Sequence, residues 1–252
     1  MNNYNQDRET YISAEVVDSR TGTKGLAKSF IANVFMWMFA ALAISALFAY
    51  LFSTNTQWLS YLINYETGKL NMLGWAVMLA PLGFVMLMSF GYARLSAPAI
   101  TALFLLYSAI NGISFSFILL AYTASSILGC FLSAAAMFGI MAVMGYTTDK
   151  DLTGFGRILT MGLIGVVVAM LINFFLKSDT MDYIISIIGV MVFTGLTAYD
   201  VQKLKRIGMG VEFEGTEAAG VRKLAIIGAL NLYLDFINIF LFLLRLFGGR
   251  RD

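Results

Sequence analysis

The chain has 252 residues, a formal net charge of +2, 59% hydrophobic and only 13% charged residues, and a mean hydropathy of +0.78. A soluble domain carries about 25% charged residues, so the chain is read as an integral membrane protein, filled by apolar segments near the roughly 20 residues that cross a bilayer. The small charge excess gives no reason to expect nucleic acid as a partner; the lipid bilayer is the partner that the composition implies. The absence of histidine excludes histidine triads, histidine proton relays and most zinc and haem sites.

Residues 1–28 form a polar tail of mixed charge, with no apolar core of the kind a signal peptide has. The remainder, 29–252, is predicted to be one membrane domain with spans over about 30–52, 72–92, 99–122, 127–146, 158–176, 183–201 and 224–244. Pro81 lies inside the second span. Ser96 and Pro98 mark the start of the third, Ser96 in the cap region and Pro98 in the first turn, where its missing N–H costs little. No charge follows until Asp149, a stretch long enough for two helices turning near 123–126. The single cysteine, Cys130, sits in an apolar run and allows no intramolecular disulfide. A charged loop, 202–223, precedes the last span, with Lys203, Lys205, Arg206, Glu212, Glu214, Glu217, Arg222 and Lys223.

The positive residues set the orientation. With the tail inside, most lysines and arginines fall on the cytoplasmic side, which predicts a cytoplasmic amino terminus. Seven spans then put Arg250 and Arg251 outside, against the same rule. Either the early loops dominate or the seventh segment does not fully cross.

Two acids stand out. A carboxylate at the centre of a membrane helix costs roughly 2.5 to 3.5 kcal/mol on insertion scales and persists where something compensates it. Asp200 ends the sixth span and Asp235 lies within the seventh. On the seventh, Gly228, Asn231, Asp235 and Asn238 recur at intervals of three and four and share one helical face. Such a face turns toward other helices or toward water between them. Asn231 and Asn238 read equally as interhelical hydrogen-bonding glue. Asp200, taken alone, also reads as an interfacial acid beside Lys203 or Lys205. Asp235 lies about 12 residues, roughly 18 Å, past Lys223, so a pairing with Asp200 needs a late helix start or a cavity reaching inward. Arg94, at the end of the second span, is either a snorkelling interfacial residue or the guanidinium that partners a buried acid. The third span carries a mildly polar face with Ser108, Asn111, Gly112, Ser114 and Ser116. Gly129 with Ser133, Ala135 with Gly139, and Gly162 with Gly165 are spacings at which helices are expected to approach closely.

Three segments carry a family resemblance. Ser108-Ala109-Ile110-Asn111-Gly112 through Ala121-Tyr122-Thr123, Thr197-Ala198-Tyr199-Asp200-Val201-Gln202-Lys203, and Asn231-Leu232-Tyr233-Leu234-Asp235-Phe236-Ile237-Asn238 resemble the Bax inhibitor-1, or transmembrane Bax inhibitor motif, family, in its bacterial type. The resemblance runs from about the first span to the end. It implies an all-α bundle of seven transmembrane helices with the last helix central, wrapped by the other six. It also implies a pH-sensitive calcium leak in which Asp200 and Asp235 are the paired acids and Arg94 the latch. Eukaryotic members are associated with suppression of cell death and some bacterial members with a membrane-anchored protease.

The mechanism expected from this is a switch. Two carboxylates in a partly desolvated site cannot both ionise cheaply and so share a proton. Ionised Asp235 pairs with Arg94 and holds the cytoplasmic end shut; proton exchange with Asp200 opens a path for calcium. Asn231, Asn238, Asn111, Ser108, Thr197 and Tyr199 are the supporting polar residues. Aspartate oxygens suit a hard cation bound weakly at Asp200 and Asp235; calcium is the transported ion, with no resident cofactor and no catalytic residue. Two other readings stay open: a non-conducting regulator of a membrane partner such as a protease, and an intramembrane aspartyl protease. The last lacks the Gly-x-Gly before Asp235 and the Pro-Ala-Leu such enzymes carry. The bacterial inner membrane is the expected location.

Overall fold

The computed structural model describes the backbone of residues 2–64, 67–213 and 218–251, and the side chains of 28–64, 67–210 and 218–251. The side chains of tail residues 1–27, of Glu66, and of Glu212, Glu214 and Glu217 lie outside the described residues. The chain forms α1 (Asn2–Thr54), α2 (Thr56–Ser60), a hairpin of β1 (Ile63–Asn64) and β2 (Lys69–Leu70), then α3 (Met72–Gly91), α4 (Ala97–Ala121), α5 (Ala124–Thr147), α6 (Thr153–Leu176), α7 (Asp179–Phe213) and α8 (Ala218–Phe247). Seven of these helices are long and apolar enough to span a membrane, the first over Lys28–Thr54. The protein is an all-α seven-helix membrane bundle.

Local chemistry sets the helix ends. Asn71, Ser96 and Thr123 stand in extended conformation at the starts of α3, α4 and α5, and each side chain accepts a backbone N–H of the first turn. Ser96 and Pro98 therefore act as their sequence implied, and the α4–α5 turn narrows to residues 122–123. Pro81 inside α3 leaves the Val77 carbonyl without its usual helical donor. Ser114 Oγ of α4 donates to that carbonyl at 2.9 Å, as a bilayer requires of a freed backbone group.

Short connections place the starts of α1, α4, α6 and α8 on one face, here the amino face. The α2–β hairpin, the α4–α5 and α6–α7 turns and the end of α8 lie on the other, the hairpin face. α8 is central: 72% of its most apolar stretch is buried, against 6% in α6 and 11% in α3. It packs on α7, α1, α5 and α4, while α3 and α6 lie outside, on α4 and α7 respectively. Four helices, not six, make up its main packing shell. α6 turns Ile164, Leu171 and Phe175 outward, the surface a lipid-facing helix shows.

Two further expectations are corrected. The charged loop 202–223 is mostly helix, because α7 continues to Phe213 and α8 begins at Ala218. Lys203, Leu204, Lys205 and Arg206 are strong helix formers, and neighbours hold them. Gln202 Nε2 donates to the Lys150 carbonyl (2.8 Å), Lys205 Nζ to the Tyr146 carbonyl (2.8 Å), and Arg206 bonds Asp151 (2.6 Å). The small-residue spacings also fall elsewhere. A Cβ on Gly129, Gly139 or Gly165 would meet nothing, whereas one on Gly112 would strike the Ser45 backbone and one on Gly145 the Ala198 backbone. Backbones approach closely at α1–α4 and α5–α7; of the predicted glycines only Gly162 meets a neighbouring helix, at Val192 of α7, while Gly129, Gly139 and Gly165 face open space.

α8 runs from the amino face to the hairpin face of the bundle. Beyond it, Thr123 N–H donates to the Gly249 carbonyl (3.0 Å) and Arg251 N–H to the Ala121 carbonyl (2.9 Å). Arg250 and Arg251 are thus fixed on the hairpin face, beside the α4–α5 turn.

Candidate functional site

Asp235 lies on α8 with 4% of its surface exposed, and its Oδ2 has no hydrogen-bond partner among the described residues. An unpaired buried carboxylate oxygen is costly and calls for a functional account. Thr194 Oγ1 on α7 is the other such atom among the described residues.

The α7–α8 contact brings the second acid near. Gly228 lets Leu204 pack against α8, and Gly189 does the same for Phe242. This antiparallel register sets Thr197 level with Asp235 and Asp200 level with Leu232. The acids are then about one turn, roughly 5 Å, apart in depth. The depth difference implied by counting from Lys223 is offset by the length of α7.

Consecutive residues of α7 serve different neighbours. Ala198 abuts Gly145 of α5, and the Tyr199 ring fills the space at Gly156 of α6. Asp200 faces a cavity of about 440 Å³ that reaches in from the amino face, lined also by Ser89, Tyr92, Lys203, Gly228 and Asn231. Lys203 is within electrostatic reach of Asp200. Lys223 Nζ donates to the Tyr92 carbonyl (3.3 Å) and lies over the Tyr92 ring at 5.5 Å, which links α8 to the end of α3 beside this cavity.

The predicted site residues therefore divide. Asp200, Asp235 and Asn231 belong to the α7–α8 side, and Thr197, buried on α7, bonds its own helix at the Phe193 carbonyl (2.8 Å). Asn238 Nδ2 likewise donates to the Leu234 carbonyl (2.8 Å). Tyr199 points to α6. Arg94 is exposed in the turn after α3, two residues beyond Tyr92 of the cavity wall, and forms no ion pair with either acid.

Ser108 and Asn111 belong to a second polar cluster, on the other side of α8, that the sequence reading did not assemble. Its hub is Tyr233, fully buried. Asn111 Nδ2 donates to the Tyr233 hydroxyl (2.8 Å), and Ser45 Oγ lies 2.8 Å from it. Ser45 spends its single hydrogen on the Ser108 carbonyl (2.7 Å), so Tyr233 donates to Ser45. Tyr107 hydroxyl is 3.4 Å from Asn111 Nδ2. Gly112, one residue on, permits the α1–α4 approach that makes these bonds reachable. The sequence signals were the polar face of the third span with Ser108 and Asn111, and Tyr233, two positions before Asp235 and thus on the opposite helical face.

Among the described residues no group of three or more Asp, Glu, Cys or His could hold a metal ion. An acid pair of this kind offers a cation a weak, partial set of ligands.

These features define an integral membrane protein whose central helix carries a buried acid, about one turn in depth from a second acid that lines a cavity. A family model described as inhibitor of apoptosis-promoting Bax1 matches residues 27–252, and the chain belongs to that family, Bax inhibitor-1. The inner membrane protein YbhL of Escherichia coli strain K12 is 43% identical over 239 residues, covering 95% of this chain and 97% of its own length. An uncharacterized protein of Borreliella burgdorferi is 41% identical over 227 residues, 90% of this chain and 94% of its own length. One of Rickettsia prowazekii is 37% identical over 234 residues, 93% and 94%.

Proposed function

We propose that the protein is a pH-sensitive calcium leak of a bacterial inner membrane, with its amino terminus in the cytoplasm, gated by one proton shared between Asp200 and Asp235. The observation that carries this reading is the unpaired Oδ2 of Asp235, buried next to an acid that opens on a 440 Å³ cavity. Two carboxylates so placed gain from holding one proton between them. Losing that proton adds a full negative charge to the bundle centre, which then needs a cation, and two are at hand: arriving calcium, or Arg94. Arg94, exposed in the turn after α3, is the proposed latch; it pairs with neither acid in the structure, so latching requires the end of α3 and its turn to move inward along the cavity. Calcium enters past Asp200 and Asn231 as a weakly held ion, as a leak demands.

The test is calcium flux into proteoliposomes between about pH 6 and 8. Asp235→Asn and Asp200→Asn should each flatten the pH dependence, because neither amide can exchange the proton, and Arg94→Gln should raise the flux where the wild type is closed. Unchanged pH dependence in Asp235→Asn ends the proton-sharing account. The reading is of a protein without enzymatic activity; cleavage of a reporter span that depended on both acids would replace it with an aspartyl protease.

A further inference from the structure

We propose that the cleft between α1, α4 and α5 on the hairpin face binds an anionic phospholipid with a hydroxylated headgroup, its phosphate on Arg251. The cleft encloses about 390 Å³, remote from the acid site and on the opposite face of the bundle. Its floor is apolar, with Leu120, Ile127, Leu128 and Phe131, and its rim is polar, with Ser53, Thr54 and Arg251. That polarity gradient matches one lipid molecule standing in the outer part of a leaflet: chains below, headgroup at the rim.

The backbone that carries this arginine is held in place. The segment 248–251 folds back along the α4–α5 turn, pinned by the Thr123 to Gly249 and Arg251 to Ala121 bonds (3.0 and 2.9 Å) and by Gly249 N–H on Ser126 Oγ (2.9 Å). Gly248 passes so close to the Tyr122 ring that a Cβ would collide with it. Arg245 is already neutralised by Asp182 at 3.2 Å, whereas Arg251 has no ion-pair partner among the described residues. An arginine on a pinned backbone beside an apolar cleft, without an ion-pair partner among the described residues, can bind a phosphate bidentately.

The hydroxyls choose the rest of the headgroup. Ser53 and Thr54 both donate to the Tyr50 carbonyl (3.0 and 2.8 Å), so their oxygens face the rim as acceptors only. A glycerol headgroup supplies donors to them, and a choline headgroup supplies none. The site also gives a role to an arginine that the positive-inside pattern leaves unexplained.

The experiment is native mass spectrometry of the full chain, released from micelles doped with equal amounts of phosphatidylglycerol and phosphatidylcholine. The wild type should retain phosphatidylglycerol about tenfold over phosphatidylcholine, the size of one charge-assisted contact. Arg251→Gln should erase most of that preference, Arg251→Lys should keep part of it, and Arg245→Gln should leave it intact. Leu128→Trp, which fills the cleft, should reduce retention of both lipids. Equal retention of the two lipids by the wild type overturns the proposal without any variant, and so does an unchanged preference in Arg251→Gln. Displacement of the lipid by millimolar inorganic phosphate would show a phosphate site with no lipid specificity, and would overturn it too.

Discussion

The two sides of α8 use buried polarity in opposite ways. At Tyr233 every polar atom has a partner: the hydroxyl gives its hydrogen to Ser45 and takes one from Asn111. At Asp235 one carboxylate oxygen has none. A satisfied network rigidifies the helices it joins, which here are α1, α4 and α8, while α7 packs on the side of α8 that carries Asp235. Tyr233→Phe should cost about 1–3 kcal/mol, since Asn111 then keeps a buried donor with only a 3.4 Å contact to Tyr107. The check is a lower thermal midpoint with an unchanged pH profile of calcium flux. Asp151 provides the contrasting titration. Hydrogen bonds from Thr153 first, then Arg206, hold its carboxyl well below the usual carboxylate range. A group depressed in the folded state contributes stability that is present above its unfolded value of about 3.9 and lost as the pH falls through the folded value. Its contribution is therefore constant from about pH 5 to 8. The flux profile of Asp151→Asn should superimpose on that of the wild type over this range; a shifted midpoint would count against the proposed acid pair and place pH sensing in this loop.

At the level of helices, contact is decided by where backbones meet. On α5, Gly145 lies against the Ala198 backbone, two residues before Asp200, while on α6 Gly165 faces open space. Gly145→Leu should force α5 away from α7 and disturb the acid pair, and even Gly145→Ala should cost about 1–3 kcal/mol. Gly165→Ala should instead be neutral or gain up to about 1 kcal/mol of helix propensity. Thermal unfolding of the three variants in one detergent would separate these outcomes; equal stabilities would remove the close approach as a determinant of the fold. The difference explains what could be read from the chain alone. The seven helices were legible because each needs about 20 apolar residues, and Ser96 with Pro98 and the three-four spacing around Asp235 were legible because they follow from local geometry. Which glycines lie in contacts was not, since small residues at the same spacing occur on lipid-facing and helix-facing surfaces alike. The Tyr233 hub was equally hidden: Ser45 and Asn111 are far apart in sequence, and only the α1–α4 approach at Gly112 brings them to one hydroxyl. The helical ends of α7 and α8 were read as loop because charge marks the edge of the membrane, not the end of a helix.

For the whole molecule, the remaining question is which face is cytoplasmic, and the fold assigns the charged residues from 28 onward to two faces. The amino face holds Lys28, Arg94, Lys150, Arg157, Lys203, Lys205, Arg206, Arg222 and Lys223; the hairpin face holds Lys69, Lys177, Arg245, Arg250 and Arg251. Of the second set, Arg245 is paired with Asp182, and the backbone around Arg250 and Arg251 is bound to the α4–α5 turn. The larger number of lysines and arginines on the amino face predicts that this face is inside. Cysteine labelling tests this directly. In a Cys130→Ala background, Ser60→Cys places an exposed thiol on the hairpin face and Asp149→Cys one on the amino face. A membrane-impermeant maleimide applied to intact cells should label the first, and should label the second only after the membrane is opened. The reverse pattern would place the acid-site cavity on the periplasmic face, and the proton that the pair exchanges would then come from outside the cell.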